Sequence, residues 1–363
     1  MSESASSSKI AIVLGTRPEI IKMSPIIREC EHLNVDFFIL HTGQHYSYNM
    51  DKVFFDQLGL PGAKYNLDVG SGSHAEQTGK MLIGIENVLL KELPDIVLVE
   101  GDTNSVLAGA LAACKVGIDV GHVEAGLRSY DRRMPEEINR VLTDHCSDYL
   151  FAPTEKSVMI LLDEGISEEK VFLTGNTIVD AIYQNTEIAD TKVDVLRKYG
   201  LDQGEYFLTT VHRQENVNNE IIFSSIMRGL ELVSQEFNTP VVYPVHPRAK
   251  KMMKKFRIDP NLMMIDVVDY LTFLLLEKNA RLILTDSGGV QEEACVLRVP
   301  CVTLRENTER PETVDVGANV IAGTDSSSIL ESAKKMVSSK RSWKNPFGKG
   351  DSGNIIVDII KSM

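Results

Sequence analysis

Carboxylates and arginines crowd into one short stretch, HVEAGLRSYDRRMPEEINR at 122–140. His122, Glu124, Arg128, Glu136 and Arg140 follow an apolar run containing Val120 and Val123, and Pro135 then opens what reads as a helix. Acids and guanidiniums at the mouth of a strand–loop–helix unit suit a polar reaction on an anionic substrate. Asp102, in GDTNS at 101–105, adds a third carboxylate after another apolar run. Carboxylates sharing a closed, partly dry site can be driven to different protonation states and so serve as acid and base. A solvated charged loop is the competing reading, and Asp131, Arg132 and Arg133 fit it.

A second constellation is LILTDSGGVQEEA at 282–294. An apolar strand stops at Thr285-Asp286. Ser287, Gly288 and Gly289 let the backbone approach a ligand, and the helix that follows offers free N–H groups to a diphosphate. Glu293 falls about one turn into that helix, within reach of ribose hydroxyls. Arg310, in TERPE, can add charge for the same phosphates. The alternative is an ordinary βα turn with an Asp/Ser cap.

Arg17 and Lys22 flank the turn after KIAIVL-Gly15 and could hold phosphate or sugar oxygens. His212 and Arg213 end another apolar run, and His246 stands between Pro244 and Pro247. Gly70 to Ala75 formally matches G-x-G-x-x-G/A, but the preceding AKYNLDV is too polar for a buried strand, so it reads as a loop.

The elements that must position these groups alternate. KIAIVL, VDFFILHTG, DIVLVEGD, IDVGHVE and SDYLFAPTE read as strands, separated by helical patterns. Residues 61–73 read as loop. A connecting helix begins at GNTIVDAIY. EYFLTTVHR, TPVVYPVHP, MMIDVV, ARLILTDSGG and VPCVTL then form a second series, and the tail is a terminal helix. The pattern predicts an α/β chain of two doubly wound domains, 9–174 and 175–349, with residues 350–363 as the terminal helix. Ligands in such folds sit beyond the carboxyl ends of the strands, which predicts a cleft between the domains.

Composition sets the outer bounds. The 363 residues are 43% hydrophobic and carry a net charge of −13, which argues against a nucleic-acid partner. No apolar run reaches the roughly 18 residues a membrane span needs. The five cysteines form no CxxC pair and no metal-ligand spacing, so no metal is expected; they read as buried free thiols in a reducing cytoplasm. The opening MSESASSS is polar and lacks a hydrophobic signal core.

Ten blocks in order carry a resemblance: GTRPEIIKMSP, GQH, GDTNS, HVEAGLR, PEEINR, GNTIVDA, HRQEN, YPVHP, TDSGGVQEEA and TERPE. Together they resemble the non-hydrolysing UDP-N-acetylglucosamine 2-epimerases from Lys9 nearly to the C-terminus. The resemblance implies two Rossmann-like domains facing across a cleft, the GT-B-like arrangement, with the C-terminal helix returning to the first. It also implies a homodimer, no redox cofactor, and interconversion of UDP-GlcNAc and UDP-ManNAc through elimination and re-addition of UDP. Asp102, Glu124 and Glu136 match the acid–base carboxylates, and His212 the histidine at the leaving diphosphate. Arg17, Lys22, Arg140, Ser287, Gly288, Gly289, Glu293 and Arg310 match substrate or UDP contacts, and Phe273 the aromatic beside uracil. Gln44, His45, Arg213 and His246 match parts of a second, activating UDP-GlcNAc site, although VGSGSH at 69–74 lacks the basic residue often found there. A hydrolysing epimerase, a glycosyltransferase of the same fold and a non-catalytic binding module are the rivals. The three clustered carboxylates stand against the last two.

Overall fold

The computed structural model describes residues 8–44 and 48–363. The chain divides into two compact units: one runs to Tyr183 and regains Phe347–Met363, and the other is Gln184–Pro346. The division falls inside the helix Thr177–Lys192.

In the first unit the strands are β1 (Ile10–Leu14), β2 (Phe37–His41), β3 (Tyr65–Asn66), β4 (Ile96–Glu100), β5 (Asp119–Val123), β6 (Tyr149–Ala152) and β7 (Val171–Leu173). Their order is β3-β2-β1-β4-β5-β6-β7, all parallel. β1 and β4 are buried along their whole length, as strands covered by helices on both faces must be, and this is why they are continuous apolar runs rather than alternating ones. β3 is a correction: residues 61–73 were expected to be loop. A two-residue edge strand leaves too short a pattern to read.

The second unit repeats the plan with β8 (Phe207–Thr210), β9 (Val241–Pro244), β10 (Met263–Ile265), β11 (Leu282–Thr285), β12 (Cys301–Thr303) and β13 (Asn319–Ile321). The order β10-β9-β8-β11-β12-β13 reverses direction between β8 and β11, the place where such sheets open a crevice. Its core gathers Phe207, Phe223, Leu230, Tyr243, Leu284 and Val302 under the flanking helices. The strand β13 and the helix Ser326–Val337 that follows have no counterpart in the sequence reading.

The C-terminal helix Ser352–Lys361 packs on the helix Arg17–His32, where a Cβ on Gly353 would come within 3.0 Å of Pro25. Its start is tied by the Gly353 N–H, which donates to Asp180 at 2.9 Å. Among the described residues no helix is long and apolar enough to cross a membrane, and no group of three or more His, Cys, Asp or Glu is placed to hold a metal. All five cysteines are free, but Cys114 is exposed and Cys146 half-buried, so the expectation of buried thiols holds for Cys30, Cys295 and Cys301 only.

Candidate active site

The first unit's site is assembled by the carboxyl ends of β1, β4 and β5. A Cβ on Gly15 would fall 2.1 Å from Thr42 Oγ1 and 2.2 Å from Ser105 Oγ, so only glycine fits the turn after β1. Glu19 holds that turn, accepting the Gly15 and Thr16 N–H groups and the Thr103 hydroxyl at 2.6 Å. Burial pushes its carboxyl up to about 7, against these donors. With the turn fixed, Arg17 lies over the Phe54 ring at 5.8 Å, and Lys22 points along the helix toward the ends of β4 and β5.

There Lys22 donates to Glu124, which also accepts from Asn176 Nδ2 at 3.0 Å. Glu124 has φ +69, a left-handed conformation that costs a residue bearing a Cβ about 1–3 kcal/mol and concentrates at functional sites. Asp102 pairs with Arg140 at 2.5 Å. Arg140 in turn touches Glu137 at 2.9 Å, and Glu137 accepts the N–H groups of Ser129 and Tyr130, which locks the charged loop onto the helix Pro135–Cys146. Glu136, on the first turn of that helix, is half-buried.

Beneath Glu124 lies a buried network. His122 is hydrogen-bonded to Asp144 at 2.6 Å and to the Gly101 carbonyl at 2.9 Å, and Asp144 pairs with Arg128 at 2.7 Å. Burial raises the Asp144 carboxyl, but His122 and Arg128 outweigh it and hold the group below its usual range. His122 and Arg128 therefore brace the turn that carries Glu124. Arg133 sits exposed against Asp131.

In the second unit Asp286, the residue that follows β11, is fully buried. It accepts the N–H groups of His212 and Arg213, both at 3.0 Å, and its Oδ1 lies 3.2 Å from His212 Nδ1. Ser287 is the cap residue of the helix Gly288–Val296, yet its side chain makes no capping hydrogen bond. A Cβ on Gly289 would meet nothing within 4 Å, so the protein's own packing does not explain glycine there. His212, His246 and Phe273 line one pocket with Pro244, Val267 and Val268. The two imidazoles are 6.1 Å apart, and His246 Nδ1 accepts the Arg248 N–H at the start of the helix Pro247–Phe256. Burial, then His212 and Arg248, push the His246 imidazole down. Arg310 pairs with buried Glu292 at 2.6 Å, and Glu293 is buried one residue along the same helix.

The structure thus brings Lys22, Glu124, Asp102 and Arg140 together in one unit, and His212, His246 and Phe273 together in the other. Gln44 is buried, with its side-chain oxygen accepting the Ser105 hydroxyl at 2.7 Å. Arg213 faces Glu309 at 3.7 Å. His45 lies outside the described residues. Sequence reading passed over Glu100, Asn176, Glu137 and Asp144. Glu100 carried a usable signal, because it ends the same apolar run that delivers Asp102.

Two doubly wound parallel units, one bearing an acid–cation cluster and the other a glycine turn at a helix N-terminus, define a GT-B-like α/β protein suited to a nucleotide-linked substrate. Residues 28–361 match the family described as UDP-N-acetylglucosamine 2-epimerase. A relative of that name from Methanocaldococcus jannaschii is 57% identical over 97% of this chain and 98% of its own. A relative from Pseudomonas aeruginosa named UDP-2,3-diacetamido-2,3-dideoxy-D-glucuronate 2-epimerase is 42% identical over 90% of this chain and 91% of its own. The crystal structure of the M. jannaschii UDP-GlcNAc 2-epimerase in complex with UDP-GlcNAc and UDP matches with a TM-score of 0.87, covering 98% of this chain and 100% of that one at 57% identity. The chain belongs to the UDP-N-acetylglucosamine 2-epimerase family.

Proposed function

We propose that the chain epimerises UDP-GlcNAc at C2, giving UDP-ManNAc without hydrolysis and without a redox cofactor. The observation that carries this reading is the pairing of two carboxylates with separate cations at one sheet edge: Glu124 with Lys22, and Asp102 with Arg140. A C2 inversion needs one group to take a proton from one face and another to return it to the opposite face, and two differently partnered acids meet that need.

In the first half-reaction a carboxylate removes the C2 proton. The C–H electron pair becomes the C1–C2 double bond, and the C1–O bond breaks with its electrons going to UDP. In the second, a carboxylic acid delivers a proton to the other face of C2 in the 2-acetamidoglucal, and a UDP oxygen re-adds at C1. The C2 proton is only weakly acidic, so departure of UDP must assist its removal. The uncapped N-terminus of the helix Gly288–Val296, with His212 and Arg310, is assigned to the leaving diphosphate, Glu293 to the ribose and Phe273 to the uracil. Glu136 is the third candidate acid.

The test is incubation with UDP-GlcNAc in deuterated water with no acceptor sugar. Deuterium at C2 together with the manno isomer, and no stoichiometric free UDP, is the expected result. Free UDP in stoichiometric amount would favour a hydrolysing enzyme. Absence of both deuterium and isomer would remove the epimerase reading.

A further inference from the structure

Glu100 is the last residue of β4 and has no part in the acid–base assignment above. Its register partner on β5 is Val123, so it emerges beside Glu124. It is 2% exposed, and its Oε1 lies 3.4 Å from Lys22 Nζ. That ammonium donates a hydrogen bond to Glu124, while Glu100 Oε1 accepts none. The charged groups facing Glu100 are Lys22 and Glu19 from the helix Arg17–His32, Glu124 from the turn after β5, and Asp102 two residues along its own loop. Lys22 thus lies within ion-pair distance of both Glu100 and Glu124 in a nearly dry space. Burial raises the Glu100 carboxyl well above its usual range; Lys22 opposes this, and Glu124, Glu19 and Asp102 reinforce it.

We infer that Glu100 is a positioning residue for Glu124: it fills the second carboxyl place at the Lys22 ammonium as a neutral acid, so that Lys22 stays committed to Glu124. The inference rests on the acid–base role proposed for Glu124. An ionised Glu100 would split Lys22 between two carboxylates and leave excess negative charge in a site with little water, which is the costly arrangement for buried charges. Loss of the Glu100 proton at high pH draws Lys22 off Glu124, and turnover falls with it.

The experiment compares the wild type with Glu100→Gln, which keeps size and polarity but cannot ionise, and with Glu100→Leu. For Glu100→Gln, kcat near neutral pH stays within about threefold of wild type, and the alkaline fall of the wild-type profile disappears. Glu100→Leu lowers kcat by about tenfold or more with KM for UDP-GlcNAc unchanged. Infrared spectra of protein carrying carbon-13 glutamate provide a readout independent of turnover: a neutral carboxylic-acid band at neutral pH that survives in the difference between wild type and Glu100→Gln, where the contribution of buried Glu19 cancels. Identical pH profiles for wild type and Glu100→Gln, or no such band, overturn the inference even if Glu100→Leu fails to fold. Equal losses of kcat in the two variants overturn it too, since Glu100 would then act as an anion. A wild type that shows the band but exchanges no deuterium defeats the epimerase reading, and with it the role given to Glu124.

Discussion

Asp286 holds His212 at two points: its carboxylate accepts the His212 backbone N–H at 3.0 Å and lies 3.2 Å from the ring Nδ1. Burial raises the Asp286 carboxyl, but the His212 ring and the two backbone N–H donors outweigh it and keep the group below its ordinary range. An anion fixed at Nδ1 leaves Nε2 to face outward, the arrangement needed for donating to a developing phosphate charge.

Asp286→Asn tests this directly. It weakens the grip on the ring and disturbs the Asn216 contact at 3.1 Å. Turnover falls by about a hundredfold, and urea denaturation shows a stability loss of about 1–3 kcal/mol. Steady-state kinetics and unfolding curves on the same preparation check both, and unchanged turnover in a destabilised protein would assign Asp286 to the fold alone.

Arg140 bridges Asp102 and Glu137, so its planar fork matters as well as its charge. Arg140→Met should lower kcat by about a hundredfold, while Arg140→Lys recovers only part of that because one ammonium cannot span both acids in the same geometry. Full recovery by lysine would reduce Arg140 to a point charge.

Gly289→Ala separates a ligand role from a packing role. Apart from the chain neighbours and the helix's own backbone, nothing lies within 4 Å of the added methyl, so stability holds within about 0.5 kcal/mol or rises. UDP affinity, measured by titration calorimetry, drops about tenfold or more, roughly 1.4 kcal/mol. Undiminished UDP binding would show that the diphosphate does not approach this turn.

Glu19 makes stability depend on pH. Its folded value, about 7, lies above the 4.5 of a free glutamate carboxyl, so the folded chain holds the proton more tightly. The associated stability is fully present below pH 4.5 and is lost as pH rises toward 7. The size is on the order of 3 kcal/mol. Glu19→Gln should flatten this part of a stability-against-pH curve recorded by chemical denaturation, and an unchanged slope would clear Glu19 of the effect.

Fold class was legible because parallel strands covered on both faces must be apolar along their length, as KIAIVL and DIVLVEGD are. The same physics hid the rest. β3 has two residues and no pattern to show, and β13 is a three-residue strand with its last residue exposed. Residue types at strand ends pointed to Asp102, Glu124 and His212. Their partners were another matter: Arg140 lies 38 positions from Asp102, Asn176 lies 52 from Glu124, and Asp286 lies 74 from the His212 backbone it binds.

By itself, then, the sequence determined the order of the elements and the kinds of side chain delivered to the sheet edges, because burial periodicity and turn chemistry are local. Only the tertiary structure decided which acid meets which cation. Lys22 reaches Glu124 because β1 lies beside β4 and β4 beside β5 in a fixed register, which brings a helix and a turn 102 positions apart to the same edge. Glu100 makes the difference plain: in the sequence it is the polar end of a strand, and in the fold it is a buried acid beside the ammonium that holds Glu124.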